Sequence, residues 1–463
     1  MRGVTIRDAE VRGRRVDVRI RGGLIEAIGT DLAGPGAVIE ARGGALIPGL
    51  ADHHCHLLAT AARRSSVSLA GAATLPEVER RVRGAADRAS GWVRATELDE
   101  TRVGLPDADV LEAVCPGRPL RVQDRTGALW LFNRTGLEML GGPHDDVLER
   151  GKDGRPTGRL WRGDGWLRTR LGGDVPDLSP IGSALTAMGV THVTDASATN
   201  DAASGALLSA ARVGGALPQH LTLMSGGALA APGDASWRVG PVKLLLDERD
   251  LPPLDELVAR IAAAREQGRV VAAHCATDGE LAVMVAALGE IGARPGDRIE
   301  HGSMIDAAMI PMLAALGVSV VTQPAFVHDR GDRYRATIPD AHHDDLYRIA
   351  SLDRAGVPVA ASSDAPYASF DPLAGMRAAV DRTTARGAPL GQGERVTHAR
   401  ALSLYLGHPD DPGRRMRRVA VGEPADLCLL HAPLEEALRV LDASLVAATI
   451  IGGRIAGGSA RPG

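Results

Sequence analysis

Lysine is almost missing from this chain: Lys152 and Lys243 stand against 51 arginines in 463 residues. Nearly every cationic task therefore falls to arginine, which cannot shed its proton to become a nucleophile as a buried lysine can. Cysteine is scarce too. Cys55, Cys115, Cys275 and Cys428 are too scattered for a disulfide framework, so free thiols in a reducing cytoplasmic setting are expected. No apolar stretch approaches the roughly 18 residues a membrane helix needs, and neither end carries a charged-then-apolar leader, so no membrane is expected as partner. The net charge of -4 gives no basic footprint for nucleic acid. What is left is a small-molecule substrate, with a homo-oligomer compatible with the composition. Aromatic residues make up 3% of the chain, so where they cluster carries information.

An apolar fraction of 44% supports a sizeable core, and the length exceeds what one core usually fills. Residues 45–54, 190–195, 220–224, 242–246, 270–274, 298–301, 318–323 and 359–364 read as strands, with helical stretches such as 254–267 and 280–289 between several of them. Eight strands alternating with helical patterns predict an α/β fold, a closed parallel (β/α)8 barrel of the TIM type. Residues 3–30 alternate apolar and charged positions, as in Val16-Asp17-Val18-Arg19-Ile20-Arg21, and the last part of the chain repeats that style in Ala425-Asp426-Leu427-Cys428-Leu429-Leu430. Neither end has enough apolar residues to stand alone. The two are expected to pair as a composite β-sandwich domain, residues 1–47 with 415–463, beside a barrel of residues 48–59 and 179–414. Between the first two strands lie about 120 residues, against roughly 4–6 for an ordinary loop, so residues 60–178 are expected as an inserted domain over the barrel mouth.

The candidate chemistry collects at strand ends, the face where barrels of this kind carry their sites. The first strand runs into Pro48-Gly49-Leu50-Ala51-Asp52-His53-His54-Cys55-His56. Residues two apart on a strand face the same way, so His54 and His56 can grip one ion, and two same-facing imidazoles are costly unless something satisfies their nitrogens. Lys243, His274, His301 and Asp364 follow at the ends of strands 4, 5, 6 and 8. Cys55 and Cys275 are out of phase with the histidines beside them and read as core packing. A single strand-end histidine is most often a satisfied core or surface residue, which is the reading given to His53, His220, His328 and His431. Asp364 could cap the helix after strand 8, a common duty for aspartate, but it shares the barrel face with the histidines.

In their order and spacing these landmarks resemble the amidohydrolase superfamily, in the family 3-like branch with a long insertion after the first strand. Ile299-Glu300-His301-Gly302, Ser363-Asp364-Ala365-Pro366 and Gly422-Glu423-Pro424-Ala425-Asp426-Leu427 complete the set. The resemblance covers nearly the whole chain. It implies a metal-binding hydrolase that uses one or two divalent ions, zinc foremost, and metal-activated hydroxide to cleave a carbon–nitrogen bond of a non-peptide amide or cyclic amide. It also implies His54 and His56 on one ion, His274 and His301 on the other, a carboxylated Lys243 bridging them, and Asp364 as ligand and catalytic acid–base.

Two departures bear on substrate. Mononuclear deaminases of the superfamily place a glutamate three residues after the strand-5 histidine, where this chain has Thr277. That disfavours the alternative of a heterocycle aminohydrolase. The insertion carries Asp124 and Ala128 where the family segment often has histidines. A non-catalytic scaffold is the reading from another class, opposed by the filling of all six expected positions. Of the twelve aromatics, five lie in the insertion (Trp92, Trp130, Phe132, Trp161, Trp166) and five follow strands 7 and 8 (Phe326, Tyr334, Tyr347, Tyr367, Phe370). Trp130, Phe132, Tyr334 and Tyr367 are therefore expected to help enclose a substrate with an apolar or aromatic portion, unless the insertion's aromatics serve its own core, and Arg330 reads first as a solvated surface arginine, with an acidic substrate group as the alternative partner.

Overall fold

Eight strands form one all-parallel sheet in strict chain order: Leu50–Cys55, Val190–Asp195, His220–Ser225, Trp237–Leu244, Val271–Cys275, Arg298–His301, Ser319–Thr322 and Val359–Ala361. They belong to a computed structural model that describes residues 3–32, 36–86, 91–141, 147–171 and 176–458. Strands buried on both faces need no polar alternation, and Val271-Ala272-Ala273 and Val359-Ala360-Ala361 show none. Parallel neighbours require crossovers, supplied by helices such as Ala202–Val213, Leu254–Glu266 and Asp278–Ile291.

The ends of the sheet meet in two ways. At the upper rim Asp364 N donates to His54 O at 2.8 Å and His56 N to Ala365 O at 2.8 Å. Lower down, the turn at Leu404 and Tyr405 stands between strands 8 and 1, accepting from Ala361 N at 3.0 Å and Ala51 N at 2.8 Å. The result is a (β/α)8 barrel whose seam is closed directly only where the candidate site residues lie.

The segment read as one strand, 45–54, is two. Leu46–Pro48 pairs antiparallel with Leu427–Leu430, whereas Leu50–Cys55 opens the barrel. Gly49 stands at the break, where a Cβ would lie 2.1 Å from Thr191 Cγ2. Strand 8 also ends early, at Ala361, and the chain then turns so that Asp364 adopts φ 53°.

The alternating ends of the chain form two four-stranded sheets. One holds Gly3–Val11, Arg14–Arg21, Leu24–Gly29 and Gly36–Glu40; the other holds Leu46–Pro48, Leu427–Leu430, Val446–Ile451 and Arg454–Gly458. Ile6, Ile20 and Ile39 from the first share one core with Leu427, Leu429 and Ile450 from the second, which is the composite sandwich. Residues 1–2 and 459–463 of its expected extent lie outside the described residues.

Leu58–Asp177 is a separate compact unit. Its six-stranded sheet runs Leu148–Arg150, Pro156–Trp161, Leu129–Phe132, Leu120–Asp124, Val93–Leu98, Val67–Ser68. Trp130 and Phe132 pack with Leu137, Leu140 and Leu160 in the insertion's own core, and Trp130 Nε1 donates to Asp164 Oδ1 at 2.8 Å.

Adding one methyl at Gly49 is expected to strain the junction between sandwich and barrel. Gly49→Ala should lower unfolding stability by about 1–3 kcal/mol, the usual range for overpacking a tight site. Urea unfolding followed by circular dichroism measures it, and an unchanged midpoint would mean that Thr191 yields freely.

Candidate metal centre

Each predicted site residue of the barrel sits at the C-terminal end of its strand. His54 lies near the end of strand 1 with His56 just past it, Lys243 and His274 are next to last in strands 4 and 5, and His301 ends strand 6. Asp364 lies just beyond strand 8. His301 and Asp364 both hold left-handed backbone, φ 70° and 53°, a strain of roughly 1–3 kcal/mol each for residues with a Cβ. The seam bonds and Ser363 restrain the aspartate. Ser363 donates to Asp52 from both N, at 3.0 Å, and Oγ.

The side chains converge. Asp364 Oδ1 lies 3.4 Å from His54 Nε2 and 3.3 Å from His56 Nε2, and Oδ2 lies 4.0 Å from His301 Nδ1. The imidazoles form a row, His56 to His54 to His301 to His274, with ring centroids 5.4, 4.8 and 4.6 Å apart. Asp364 does not cap the next helix; Asp371 does, accepting from Leu373 N at 2.9 Å. Lys243 is buried, and its Nζ has no hydrogen-bond partner among the described residues.

The electrostatics follow from burial. Desolvation is the largest effect on His54, holding it well below the usual imidazole range, and the Lys243 charge adds to it. His301 is lowered in the same way, with Asp364 opposing. Burial lowers the Lys243 amine, while the nearby carboxylates of Glu300 and Asp364 oppose that. For Asp364 burial alone would raise the carboxyl, but the hydrogen bond with His56 and the charges of His301 and His54 hold it well below the carboxylate range. An ionised carboxylate thus faces the imidazole nitrogens of His54 and His56, and the buried Lys243 amine beside them has no hydrogen-bond partner among the described residues. Such a donor set is costly by itself and is what a divalent cation satisfies. The residues present therefore fit the metal that the sequence implied.

Sequence reasoning missed the groups that orient these ligands. His56 Nδ1 meets Ser197 Oγ at 2.9 Å, and His301 Nδ1 donates to Gln323 Oε1 at 2.8 Å. Gln323 is fixed in that orientation because its amide nitrogen donates to Ser362 Oγ and Val321 O, at 2.9 and 3.2 Å. His54 Nδ1 bonds Glu300, which also takes Arg298 Nε. The available signal was Arg298-Ile299-Glu300, two opposite charges on one face of a fully buried barrel strand.

Among the expected pocket residues, the Tyr367 ring lies edge-on to His56 at 5.7 Å. Arg330 donates to Tyr367 O at 3.0 Å with its guanidinium 4.1 Å from the Phe326 ring centroid. Tyr334 pairs its hydroxyl with that of Tyr347 at 2.8 Å, and all these aromatics share one apolar cluster. Trp130 and Phe132 belong to the core of the insertion.

A second cluster, His192, His220 and Asp426, lies toward the opposite ends of strands 2 and 3. Asp426 accepts from His220 Nε2 at 2.8 Å and Gly452 N at 2.7 Å, and the Arg417 guanidinium stands 3.1 Å from His192 Nδ1. With its polar atoms engaged and a cation alongside, this cluster ties the C-terminal sheet to the barrel. His53 is fully buried on the other face of strand 1, and both ring nitrogens lack partners among the described residues.

Comparison with known proteins gives the family. Residues 37–456 match the family model described as the amidohydrolase family. The chain is 27% identical to the N-substituted formamide deformylase of Arthrobacter pascens, with 93% of each chain covered. It is 24% identical to the putative amidohydrolase YtcJ of Bacillus subtilis (strain 168), over 79% of each. Among solved structures, an uncharacterized metal-dependent hydrolase from Pyrococcus horikoshii OT3 superposes with a TM-score of 0.74 at 19% identity, covering 93% of this chain and 98% of the other. At that identity the superposition speaks to the fold alone.

The buried rings also set an acid limit on stability. Burial is the main reason that His53, His54 and His192 are held well below the ordinary imidazole range. The unfolded chain takes up protons on these rings near pH 6.5, and the folded chain does not. Stability is then complete above about pH 6.5 and falls as pH drops below it. The urea midpoint of the metal-free protein should be lower at about pH 5.5 than at about pH 7.5; a flat profile would mean that these rings protonate within the fold.

Proposed function

Because the chain belongs to the amidohydrolase family and is a metal-dependent hydrolase of carbon–nitrogen bonds other than peptide bonds, we propose that it hydrolyses small N-substituted formamides and related amides, cyclic amides included. The observation that carries the reading is the Asp364 carboxylate held between His54 and His56 beside the unpartnered Lys243 amine. The formamide assignment is supported by likeness to the Arthrobacter deformylase along nearly its whole length.

His54 and His56 would hold one ion and His274 and His301 a second, with Lys243 between them as a carbamate formed from its neutral amine and carbon dioxide. Zinc is the first choice of ion for imidazole nitrogens and a carboxylate. A bound divalent ion lowers the pKa of water toward about 7 and polarises a carbonyl oxygen. Asp364, ionised at neutral pH, takes the proton of the attacking water on a carboxylate oxygen and passes it to the departing nitrogen. For a formamide the products are formate and the amine. Tyr367, beside His56, and the Tyr334 and Phe326 rings behind it supply an apolar wall for the substituent, with Arg330 at its edge. The four cysteines are unpaired and buried, in keeping with a reducing cytoplasm.

The aminohydrolase alternative is weakened at Thr277. Its side chain caps the helix after strand 5 by accepting from Glu280 N, and Glu280 accepts from Ala276 N and Thr277 N at 2.6 and 3.2 Å. The acid three residues further on is thus spent on the backbone.

A screen of formamides, N-acyl amino acids, hydantoins and lactams with zinc- or manganese-loaded protein tests the reading, and no turnover of any of them would refute it. Asp364→Asn is expected to keep the circular dichroism spectrum and lose at least about a hundredfold in turnover. Lys243→Arg is expected to lose activity and most of one metal equivalent by elemental analysis; full retention of both would rule out the bridging carbamate.

A further inference from the structure

Ring nitrogens of three of these histidines are held by chemically different groups. For His56 the partner is a hydroxyl and for His301 an amide oxygen, both neutral. For His54 it is the carboxylate of Glu300, which is fully buried. The second Glu300 oxygen accepts from Arg298 Nε, and Arg298 is 1% exposed. Arg298 Nη2 in turn donates to His53 O at 3.1 Å and lies 3.8 Å from Met224 Sδ. Strand 6 thus sends a complete ion pair into the barrel, one end tied to the strand-1 backbone and the other to a strand-1 imidazole.

A pair this deep is a poor way to fill a barrel. Apolar side chains of similar volume do as well or better, whereas removing one partner leaves an uncompensated charge. What the pair does that apolar packing cannot is place a full negative charge on one ring nitrogen of one ligand. A carboxylate accepting the Nδ1 proton leaves the lone pair on Nε2, the atom that faces Asp364, and raises its basicity.

We propose that Glu300, neutralised on its far side by Arg298, is a positioning residue for the metal centre: it fixes His54 in the form with its proton on Nδ1 and strengthens Nε2 as a donor. This rests on the metal reading above. Arg298 serves by bonding the second carboxylate oxygen and holding Glu300 stationary. Ser197 and Gln323 orient their histidines through neutral groups.

Two double variants separate positioning from filling without leaving a lone buried charge. Arg298→Met with Glu300→Leu removes acceptor and charge; Arg298→Met with Glu300→Gln keeps an acceptor and removes the charge. In zinc competition against a chelator, the Leu double variant is expected to bind about 10–100-fold more weakly than the parent, and the Gln double variant to fall between. Thermal unfolding of the metal-free Leu variant should match or exceed the parent. Parent-like zinc affinity in a folded Leu variant would overturn the proposal. Histidine 15N shifts in the metal-free protein, with His54 assigned by its loss in His54→Asn, give a readout independent of zinc. Nδ1 protonation in the parent and a mixture of tautomers in either double variant are expected, and Nε2 protonation in the parent would overturn the proposal. A parent that retains no zinc would remove the metal reading, and the tautomer measurement would still decide the part played by Glu300.

Discussion

One unpaid electrostatic debt organises the barrel's upper rim. The Asp364 carboxylate sits within about 3.4 Å of two imidazole nitrogens, among four histidine rings in contact and a buried amine with no hydrogen-bond partner among the described residues. A divalent cation satisfies such a donor set, and the chemistry of amide hydrolysis follows from the same ion. The strained backbone at His301 and Asp364 is tolerable only where the surrounding structure fixes both residues.

The seam supplies that restraint. Strands 1 and 8 meet directly at His54 with Asp364 and at His56 with Ala365, while Ser363 is held by Asp52 from strand 1. Closing the barrel and aligning the ligands are therefore one event. Burial raises the Asp52 carboxyl to about 6 against the hydrogen bonds from Ser363, a sign of how little water reaches this joint. At the other end of the strands, His220, Asp426 and Arg417 join the C-terminal sheet to the barrel through polar contacts of their own.

Much of this was legible from residue order. His54, His274, His301 and Asp364, each at the end of a predicted strand, locate both the strands and the face, because barrels of this kind carry their sites at the C-terminal ends of the strands. The break at Gly49 was not legible, since 45–54 is continuously compatible with a strand and the division lies in the different sheets its two halves join. The aromatic census in the insertion was ambiguous for a similar reason: Trp130 and Phe132 suit a pocket wall and a core equally, and they lie in the core of their own unit. Glu300 was passed over because a charge beside a candidate ligand reads as solvated until its partner is known.

The sequence by itself determined which chemistries were available. The strand periods, the spacing of His54 and His56, and a single lysine at a strand end specify a parallel barrel with metal-binding side chains, because alternation along a strand is a local property. Tertiary structure decided which nitrogen of each ring is free, which carboxylate is paired and which is exposed to the site. Those depend on Glu300 reaching His54 across 246 positions of chain, Gln323 reaching His301, and Asp371 taking the helix cap that leaves Asp364 its carboxylate. Such contacts join strands distant in sequence, and no local pattern encodes a hydrogen bond whose two ends meet only when the barrel closes.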